Sequence, residues 1–485
     1  MTNGENFEQG ENGDKDNKPE QGGNGEKGHG ITEGNIVKQI LTFFFPILFG
    51  TFFQQLYNTA DAIVVGQFVG KEALSAVGGT TGSIINLLVG FFMGLSSGAT
   101  VVVSQYFGAK QKDELHRAVH TAVALAITGG AVLMIGGIAI SKTALTLNGT
   151  PDSIMPYSLT YMRVYFMGMI PNLVYNIGAG ILRAIGDSRR PLYFLIIACG
   201  LNISLDLLFV TVLGLEVFGV AFATILSQFI SACMVITVLI RTREPYRLEV
   251  RKIKFDKYML LRIFKIGLPA GFQSAMYSMT NVLIQTNVNS FGTDTIAAWA
   301  AYGKMDGIFW MIMGAFGISI TTFVGQNYGA VKYDRIKKGI VTCLIMAFTA
   351  SITLSTVMLL FGQYFFRLFV SEQAVIENGL VILRFIAPTF FAYVTIEILS
   401  GSMRGTGDAI IPTIITCFGI CVFRIVWLTA AAPQWNGTDV RMIIICYPLG
   451  WAFTSILYII YYKRFSLLSK IFRQNKIDKK RGGKS

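Results

Sequence analysis

The chain alternates between long apolar runs and short polar breaks. Apolar runs of about 20 residues are long enough to cross a bilayer as helices, and in lipid each helix satisfies its own backbone hydrogen bonds. The alternating ten-residue runs of a membrane β-barrel do not occur. The pattern predicts twelve membrane-spanning helices, which begin near Lys38, Thr80, Ala118, Tyr157, Pro191, Phe218, Tyr258, Thr295, Gly339, Asn378, Ala409 and Met442.

The polar breaks repeat at one constant distance of 221 positions. One set of pairs is Gly180/Gly401, Arg183/Arg404, Gly186/Gly407, Asp187/Asp408 and Pro191/Pro412. A second set is Gln105/Gln326, Gly108/Gly329, Ala109/Ala330 and Asp113/Asp334. A single offset for two motifs indicates a duplicated unit of roughly 220 residues, far longer than a solenoid repeat. Because each copy holds six spans, we predict an all-α fold of two parallel repeats, related by a pseudo-twofold axis along the membrane normal.

The duplication also predicts how the chain is divided. We predict an N-lobe over residues 31–240 and a C-lobe over residues 258–464, each of six transmembrane helices. A basic, Pro-containing linker at 241–257 joins them. Residues 1–30 are polar and glycine-rich, so we expect a disordered tail, and they lack the apolar stretch of a signal peptide. Residues 465–485 form a basic tail.

Composition and charge agree with a membrane protein. Hydrophobic residues make up 52% of the chain and charged residues 14%, against about 25% charged in soluble proteins. Most of the 41 Lys and Arg residues fall in the tails and in alternate breaks. The positive-inside rule therefore predicts that both termini are cytoplasmic in a bacterial inner membrane. This distribution explains the net charge of +13 without a nucleic-acid partner, and membrane lipid is the expected surroundings.

The motifs of common enzymes and metal sites are missing from the sequence. The six cysteines fall within predicted spans and show no paired spacing. The three histidines do not lie among carboxylates in metal-ligand spacing, and there is no phosphate-binding loop or nucleophile elbow. The sequence therefore predicts no catalytic residues, no bound metal and no cofactor.

Ionisable groups inside spans are costly and usually mark an ion path. The first copy contains Asp61 and Asp206, both in the predicted outer half of the membrane. Asn202 lies one helical turn before Asp206 on the same face, and Thr224 has a similar depth. We therefore expect a proton or cation site here. The structural alternative is that each carboxylate caps or hydrogen-bonds a neighbouring helix.

The second copy carries a different set of charged residues. Lys304 and Asp306 are two positions apart, so they point to nearly opposite helix faces, and each needs a partner elsewhere. Glu397 corresponds to Asn176 of the first copy. These groups either take part in substrate binding or form structural salt bridges. The sequence allows a cross-helix network of Arg384, Arg424, Glu397 and Asp306.

Two motifs carry a resemblance to a known family. The first span reads Asn58-Thr59-Ala60-Asp61 and the fifth reads Leu201-Asn202-Ile203-Ser204-Leu205-Asp206. Together with the duplicated Arg-x-x-Gly-Asp breaks, they resemble the multidrug and toxic compound extrusion (MATE) family, DinF-like branch, over about residues 32–465. The resemblance implies two lobes in a V around a central cavity. It also implies a monomeric antiporter that exports amphipathic, often cationic compounds in exchange for protons or sodium.

The resemblance also implies a set of cation-site residues. The family's amino-lobe site falls on Asp61, Asn176, Asn202, Asp206 and Thr224. At about 1.5 Å per helical residue, Asn176 lies nearer the inner face than the others. Members of this branch carry a further Asn where this chain has Ala179. Tyr277 stands where the NorM-like branch has an acid, which argues against a site of that type.

Two other classes of membrane protein remain open. A flippase for lipid-linked precursors has a related architecture, but a cavity that binds pyrophosphate should be more cationic, and Lys304, Arg384 and Arg424 keep this class open. A channel is less favoured, because no filter-like loop is visible and duplicated lobes suit alternating access. The substrate, and the choice between proton and sodium, are not encoded in any recognisable motif.

Overall fold

The computed structural model describes residues 31–431 and 439–482, so the predicted disordered tail at 1–30 and the end of the basic tail lie outside it. The described residues fold almost entirely into helices. These are α1 (Ile36–Val69), α2 (Lys71–Gly108), α3 (Lys112–Leu147), α4 (Met155–Met167 and Met169–Ala184), α5 (Arg189–Val212), α6 (Glu216–Arg241), α7 (Lys257–Val288), α8 (Thr293–Gly329), α9 (Tyr333–Phe369), α10 (Gln373–Gly405), α11 (Ile410–Ala431), α12 (Cys446–Arg464) and α13 (Leu467–Gly482).

The predicted spans correspond to α1 to α12. In the described ranges, ten helical segments are long and apolar enough to cross a membrane, and eleven if the bent α4 is one span. The halves of α4 meet at 50°, because Pro171, just after the break, cannot donate a backbone hydrogen bond. α7 has 32 residues, the length of a span, but it carries many polar side chains. Each predicted start falls in the first three turns of a helix or in the turn just before one.

The backbone confirms the duplication. Four pairs of helix or half-helix starts are 221 positions apart, namely Ile36/Lys257, Lys112/Tyr333, Met169/Phe390 and Arg189/Ile410. Phe390 begins the second half of α10, after a 3-10 turn at Ala387–Thr389. The turns after α2 and α8 each contain a left-handed residue, Lys110 with φ 57° and Val331 with φ 58°. Gly186 and Gly407 follow α4 and α10 with φ 106° and 91°, a conformation that favours glycine. The two copies therefore share a fold as well as a sequence pattern.

Both ends of the described chain lie at one end of the bundle, which we call the tail face. At the start of α9, Arg335 Nη1 donates to the Gly34 carbonyl at 2.8 Å. One residue earlier, Asp334 accepts a hydrogen bond from Asn475 of α13 at 3.3 Å. The opposite end of the bundle is called the far face. An even number of spans between the two ends accounts for this arrangement.

The two lobes interlock near the tail face. The first half of α1 packs into the core of the C-lobe, where the Phe44 ring stacks on Phe316 at 4.2 Å. The first half of α7 packs in the same way into the core of the N-lobe through Met259, Ile263 and Ile266. Each first helix therefore completes the core of the other copy, as a pseudo-twofold axis between the lobes requires.

Glycines allow the lobes to approach closely along this axis. A Cβ atom placed on Gly108 of α2 would lie 2.0 Å from the Gln326 carbonyl of α8. A Cβ atom on Gly329 would lie 1.9 Å from the Gln105 carbonyl. These distances leave no space for any side chain, as in other close helix contacts between small residues in membranes. The contact joins α2 to α8 at the tail face.

The same two glutamines tie each lobe to the other. Gln105 Nε2 donates to the Gly405 carbonyl at the end of α10, at 2.9 Å. Gln326 Nε2 donates to the Ala184 carbonyl at the end of α4, at 2.6 Å. Gly405 and Ala184 are themselves 221 positions apart, so the two bonds are exchanged by the pseudo-twofold axis. Both glutamines are buried, and together these bonds close the tail face.

We expect Gln105→Leu and Gln326→Leu each to lower the melting temperature in detergent. Each change removes the donor from a buried carbonyl, which costs about 1–3 kcal/mol. Gln363→Leu on α9, where the side chain is exposed, is the matched control and should melt close to wild type. Equal melting temperatures for all three variants would show that the two bonds do not hold the lobes together.

Candidate ion and substrate sites

Four of the five predicted cation-site residues meet inside the N-lobe. Asp61 comes from α1, Asn202 and Asp206 from α5, and Thr224 from α6. Thr224 Oγ1 donates to Asp61 Oδ2 at 3.2 Å. All four are buried, with Asp206 0% exposed and the others at most 4%. We call these four residues the carboxylate cluster.

Local helix geometry accompanies the cluster. α1 changes to a π-helical turn at Val65–Val69, just after Asp61. α5 does the same at Leu208–Val212, just after Asp206. Such turns are rare and often occur at functional sites, because they leave the regular pattern of backbone bonds. The cluster therefore lies where two helices depart from regular geometry at the same depth.

The polar atoms of the cluster are poorly satisfied by the protein. Among the described residues, Asp61 Oδ1, both Asp206 carboxylate oxygens and both Asn202 amide atoms are buried and have no hydrogen-bond partner. The Asp206 and Asn202 side chains lie next to the Asp61 carboxyl group. Buried ionised carboxylates without compensation cost several kcal/mol each. The arrangement suits a proton or a hard cation, which prefers carboxylate, amide and hydroxyl oxygens.

Asn176 lies beside the cluster and not within it. Its Nδ2 atom donates to the carbonyl of Asn172 at 2.9 Å and to the side-chain oxygen of Asn172 at 3.1 Å. The side chain is half-buried and lines the cavities on both sides of α4. In this structure it makes no direct bond to Asp61 or Asp206.

Sequence reasoning missed Ser227, which also lies at the cluster. Ser227 is 4% exposed, its hydroxyl has no partner among the described residues, and it lines the same small cavity as Asn202 and Thr224. The signal was present in the sequence, because Thr224, Ser227 and Ser231 follow the i, i+3, i+7 spacing of one helix face.

A central cavity of about 890 Å³ lies next to the cluster. It is formed by the second half of α1, the first half of α2, and α4, and Lys304 reaches it from the C-lobe. The volume is in the range of about 300–1,000 Å³ that holds drug-sized ligands. Asp61 lines this cavity and also accepts the hydrogen bond from Thr224 in the cluster. One carboxylate therefore belongs to both sites.

The structure does not show the salt-bridge network that the sequence allows in the C-lobe. Among the described residues, no ion pair joins any two of Lys304, Asp306, Glu397 and Arg424. Asp306 accepts hydrogen bonds from Tyr302 at 3.2 Å and from Trp310 Nε1 at 2.6 Å. Both donors lie one turn away on α8 itself.

The basic residues of the predicted network also have other surroundings. The Arg424 guanidinium is buried and lies 4.1 Å from the centre of the Tyr447 ring, a cation–π contact. Its Nη1 atom donates to Asn281 at 3.4 Å. Arg384 is exposed on α10. Glu397 instead accepts a bond from Tyr393 at 3.0 Å and faces a small pocket between the lobes.

Comparison with known proteins identifies the family. The family model MatE matches residues 46–208 and 269–428, which is one segment in each copy. The chain belongs to the MatE family. It is therefore a multi-pass membrane transporter and not an enzyme.

Relatives and solved structures agree over most of the chain. The probable multidrug resistance proteins YoeA and YpnP of Bacillus subtilis are 25% and 28% identical over 88% and 85% of this chain, and over 94% and 92% of their own lengths. A MOP superfamily transporter from Pyrococcus furiosus matches with a TM-score of 0.85 at 22% identity, over 93% of this chain and 99% of its own. At that identity the structural match shows the fold alone.

We expect a cation or proton that binds the carboxylate cluster to stabilise the folded protein. A ligand that binds only the folded state adds about 2.7 kcal/mol at 100 times its dissociation constant. Replacing choline by sodium, or lowering the pH, should therefore raise the melting temperature of the wild-type protein. The treatment that raises it shows whether the cluster binds sodium or protons. Asp206→Asn should abolish this rise, whereas Asp294→Asn, an exposed acid at the start of α8, should keep it. An unchanged rise in Asp206→Asn would rule the cluster out as the ion site.

Proposed function

We propose that this MatE family transporter is an antiporter that exports amphipathic, often cationic compounds in exchange for protons or sodium. The observation that carries the proposal is the position of Asp61. Asp61 lines the drug-sized central cavity, and its carboxyl group accepts a hydrogen bond within the buried carboxylate cluster. A cation in the cluster and a cationic substrate in the cavity would compete for the same negative charge.

The substrate class is supported by the relatives and by the cavity. The B. subtilis relatives are named as probable multidrug resistance proteins, and a relative from Staphylococcus aureus as a multidrug export protein. The central cavity combines amide and phenol groups, such as Gln54, Asn58 and Tyr161, with apolar side chains such as Met93. Such a mixed wall suits ligands that have an apolar body and a polar or charged end.

The closed tail face supports alternating access. Gln105 and Gln326 join the lobes there. The central cavity instead lies nearer the far face, against the second half of α1 and the first half of α2. Transport then requires a second state in which the tail face opens. Ion and substrate drive each other only if they prefer different states, because a ligand with equal affinity for both shifts nothing.

The orientation follows from the charges at the tail face. The turn after α2 contains Lys110, α3 begins at Lys112, and α5 begins with Arg189 and Arg190. Such clusters remain on the cytoplasmic side. We therefore place the tail face, with both termini, in the cytoplasm of a bacterial cell whose inner membrane holds the monomeric transporter. The structure then corresponds to an outward-facing state, surrounded by lipid.

A flippase for lipid-linked precursors receives less support from the cavity. Of the three basic residues that kept this class open, Lys304 lines the central cavity, Arg384 is exposed, and Arg424 packs against Tyr447. The drug-sized central cavity offers a pyrophosphate group one lysine and one aspartate, and the arginines Arg183 and Arg404 line only a smaller pocket that adjoins it. Scrambling of a fluorescent lipid, measured in the same vesicles as drug export, is the outcome that would favour the flippase.

Proteoliposomes test the antiport directly. Ethidium export should follow an imposed sodium or proton gradient in the wild-type protein, because the ion and the drug exchange. Asp206→Asn should reduce gradient-driven export at least tenfold, since an amide cannot release a proton or neutralise a cation. Asp294→Asn is the control and should export at the wild-type rate. Full export by a folded Asp206→Asn protein would contradict the coupling role.

Asp61 and Asp206 should act as one unit. We expect Asp61→Asn to lose as much gradient-driven export as Asp206→Asn, and the double variant to be little worse than either single variant. Groups that bind one ion together are non-additive. Rates of ethidium export from all three variants give this cycle. Partial losses that multiply in the double variant would show that the two acids work separately.

A further inference from the structure

A second, smaller pocket lies on the pseudo-twofold axis between the lobes. Its volume is about 140 Å³, and it adjoins the central cavity, with which it shares Met93 and Asn176. Five pairs of lining residues are exchanged by the 221-residue offset, namely Ser96/Gly317, Ser97/Ile318, Thr100/Thr321, Asn176/Glu397 and Arg183/Arg404. The duplicated copies therefore face each other across this space, which we call the axis pocket.

The axis pocket holds more positive than negative charge. Arg183 and Arg404 line it together with one carboxylate, Glu397. Neither arginine forms an ion pair within 4.0 Å in the described part of the chain. The excess of positive charge has a simple origin. Each copy supplies one arginine, but only the C-lobe supplies a carboxylate, because Asn176 stands in the N-lobe where the C-lobe has Glu397.

The donors of the two guanidinium groups are only partly used. Arg404 Nη2 donates to Ser400 Oγ at 3.2 Å. Arg183 Nε is buried and has no hydrogen-bond partner among the described residues. The acceptor that is present, Glu397, is held by the Tyr393 hydroxyl at 3.0 Å. A buried guanidinium without an acceptor is costly, and its planar fork of N–H groups matches a carboxylate.

The size of the axis pocket limits what it can bind. A water molecule occupies about 30 Å³, so the pocket has room for four or five waters or for one small anionic group. Drug-sized ligands need about 300 Å³ or more, which the central cavity provides and this pocket does not. The chemistry and the size together specify a single carboxylate or an anion of similar size.

We propose that the axis pocket binds one carboxylate between Arg183 and Arg404. The carboxylate comes either from a free small anion or from the acidic end of a zwitterionic substrate whose body occupies the central cavity. The second source rests on the proposed export function. Glu397 competes for the same guanidinium groups, so it weakens anion binding and makes the site reversible.

Acetate binding to the purified protein tests the pocket without transport. Replacing a bulky sulfonate buffer anion by sodium acetate at constant ionic strength should raise the melting temperature of wild type and of the control Arg384→Gln. Arg183→Gln and Arg404→Gln should lose this rise. Glu397→Gln should reach the same rise at least threefold lower acetate, because the competing carboxylate is removed. An equal acetate response in wild type and both pocket variants, or weaker binding in Glu397→Gln, overturns the proposal.

Two dyes that differ by one ester distinguish the sources of the carboxylate. Rhodamine 110 has a free carboxyl group, and rhodamine 123 is its methyl ester. If the pocket holds the acidic end of substrates, Arg183→Gln should lower export of rhodamine 110 at least fivefold relative to rhodamine 123, and Arg183→Lys should restore part of it. An acetate response with an unchanged dye ratio assigns the pocket to a free anion. Failure of the wild type to export either dye would contradict the export function and would leave the acetate result to decide the pocket.

Discussion

The close approach of α2 and α8 at the tail face is the contact on which the rest of the molecule depends. Gly108 and Gly329 leave no space for side chains, and Gln105 and Gln326 bond across to the opposite lobe. The lobes meet at this end, and the central cavity lies farther along α1 and α2, where Lys304 of the C-lobe reaches it. The same contact brings equivalent residues of the two copies face to face, and this creates the axis pocket.

The two lobes share a backbone but differ in their buried charges. The N-lobe buries two carboxylates with one hydroxyl donor on Asp61, so that a proton or cation is needed for neutrality. The C-lobe satisfies Asp306 with Tyr302 and Trp310 and surrounds Arg424 with aromatic and amide groups. The two copies therefore share a frame, but the N-lobe brings two buried carboxylates together, whereas in the C-lobe Arg424 Nε stays without a hydrogen-bond partner among the described residues.

The sequence predicted the fold well because membrane helices follow from apolar length alone. It also predicted the carboxylate cluster, since Asn202 and Asp206 share a helix face and Asp61 has a matching depth. It failed for the C-lobe network, because a buried acid can be satisfied by hydroxyl or indole donors as well as by a base, and charge patterns do not show which. The sequence placed Asn176 by counting its depth along a straight helix. This count fails for α4 because the two halves of α4 meet at 50°.

The central claim is that ion and substrate compete at Asp61, and equilibrium binding of ethidium in detergent tests it most directly. Fluorescence titrations at a series of sodium concentrations, and separately of pH values, give the apparent dissociation constant. The account predicts that this constant rises linearly with the concentration of one of the two cations, and that Asp61→Asn removes the dependence. An ethidium affinity that is unaffected by both sodium and protons in the wild-type protein would contradict it.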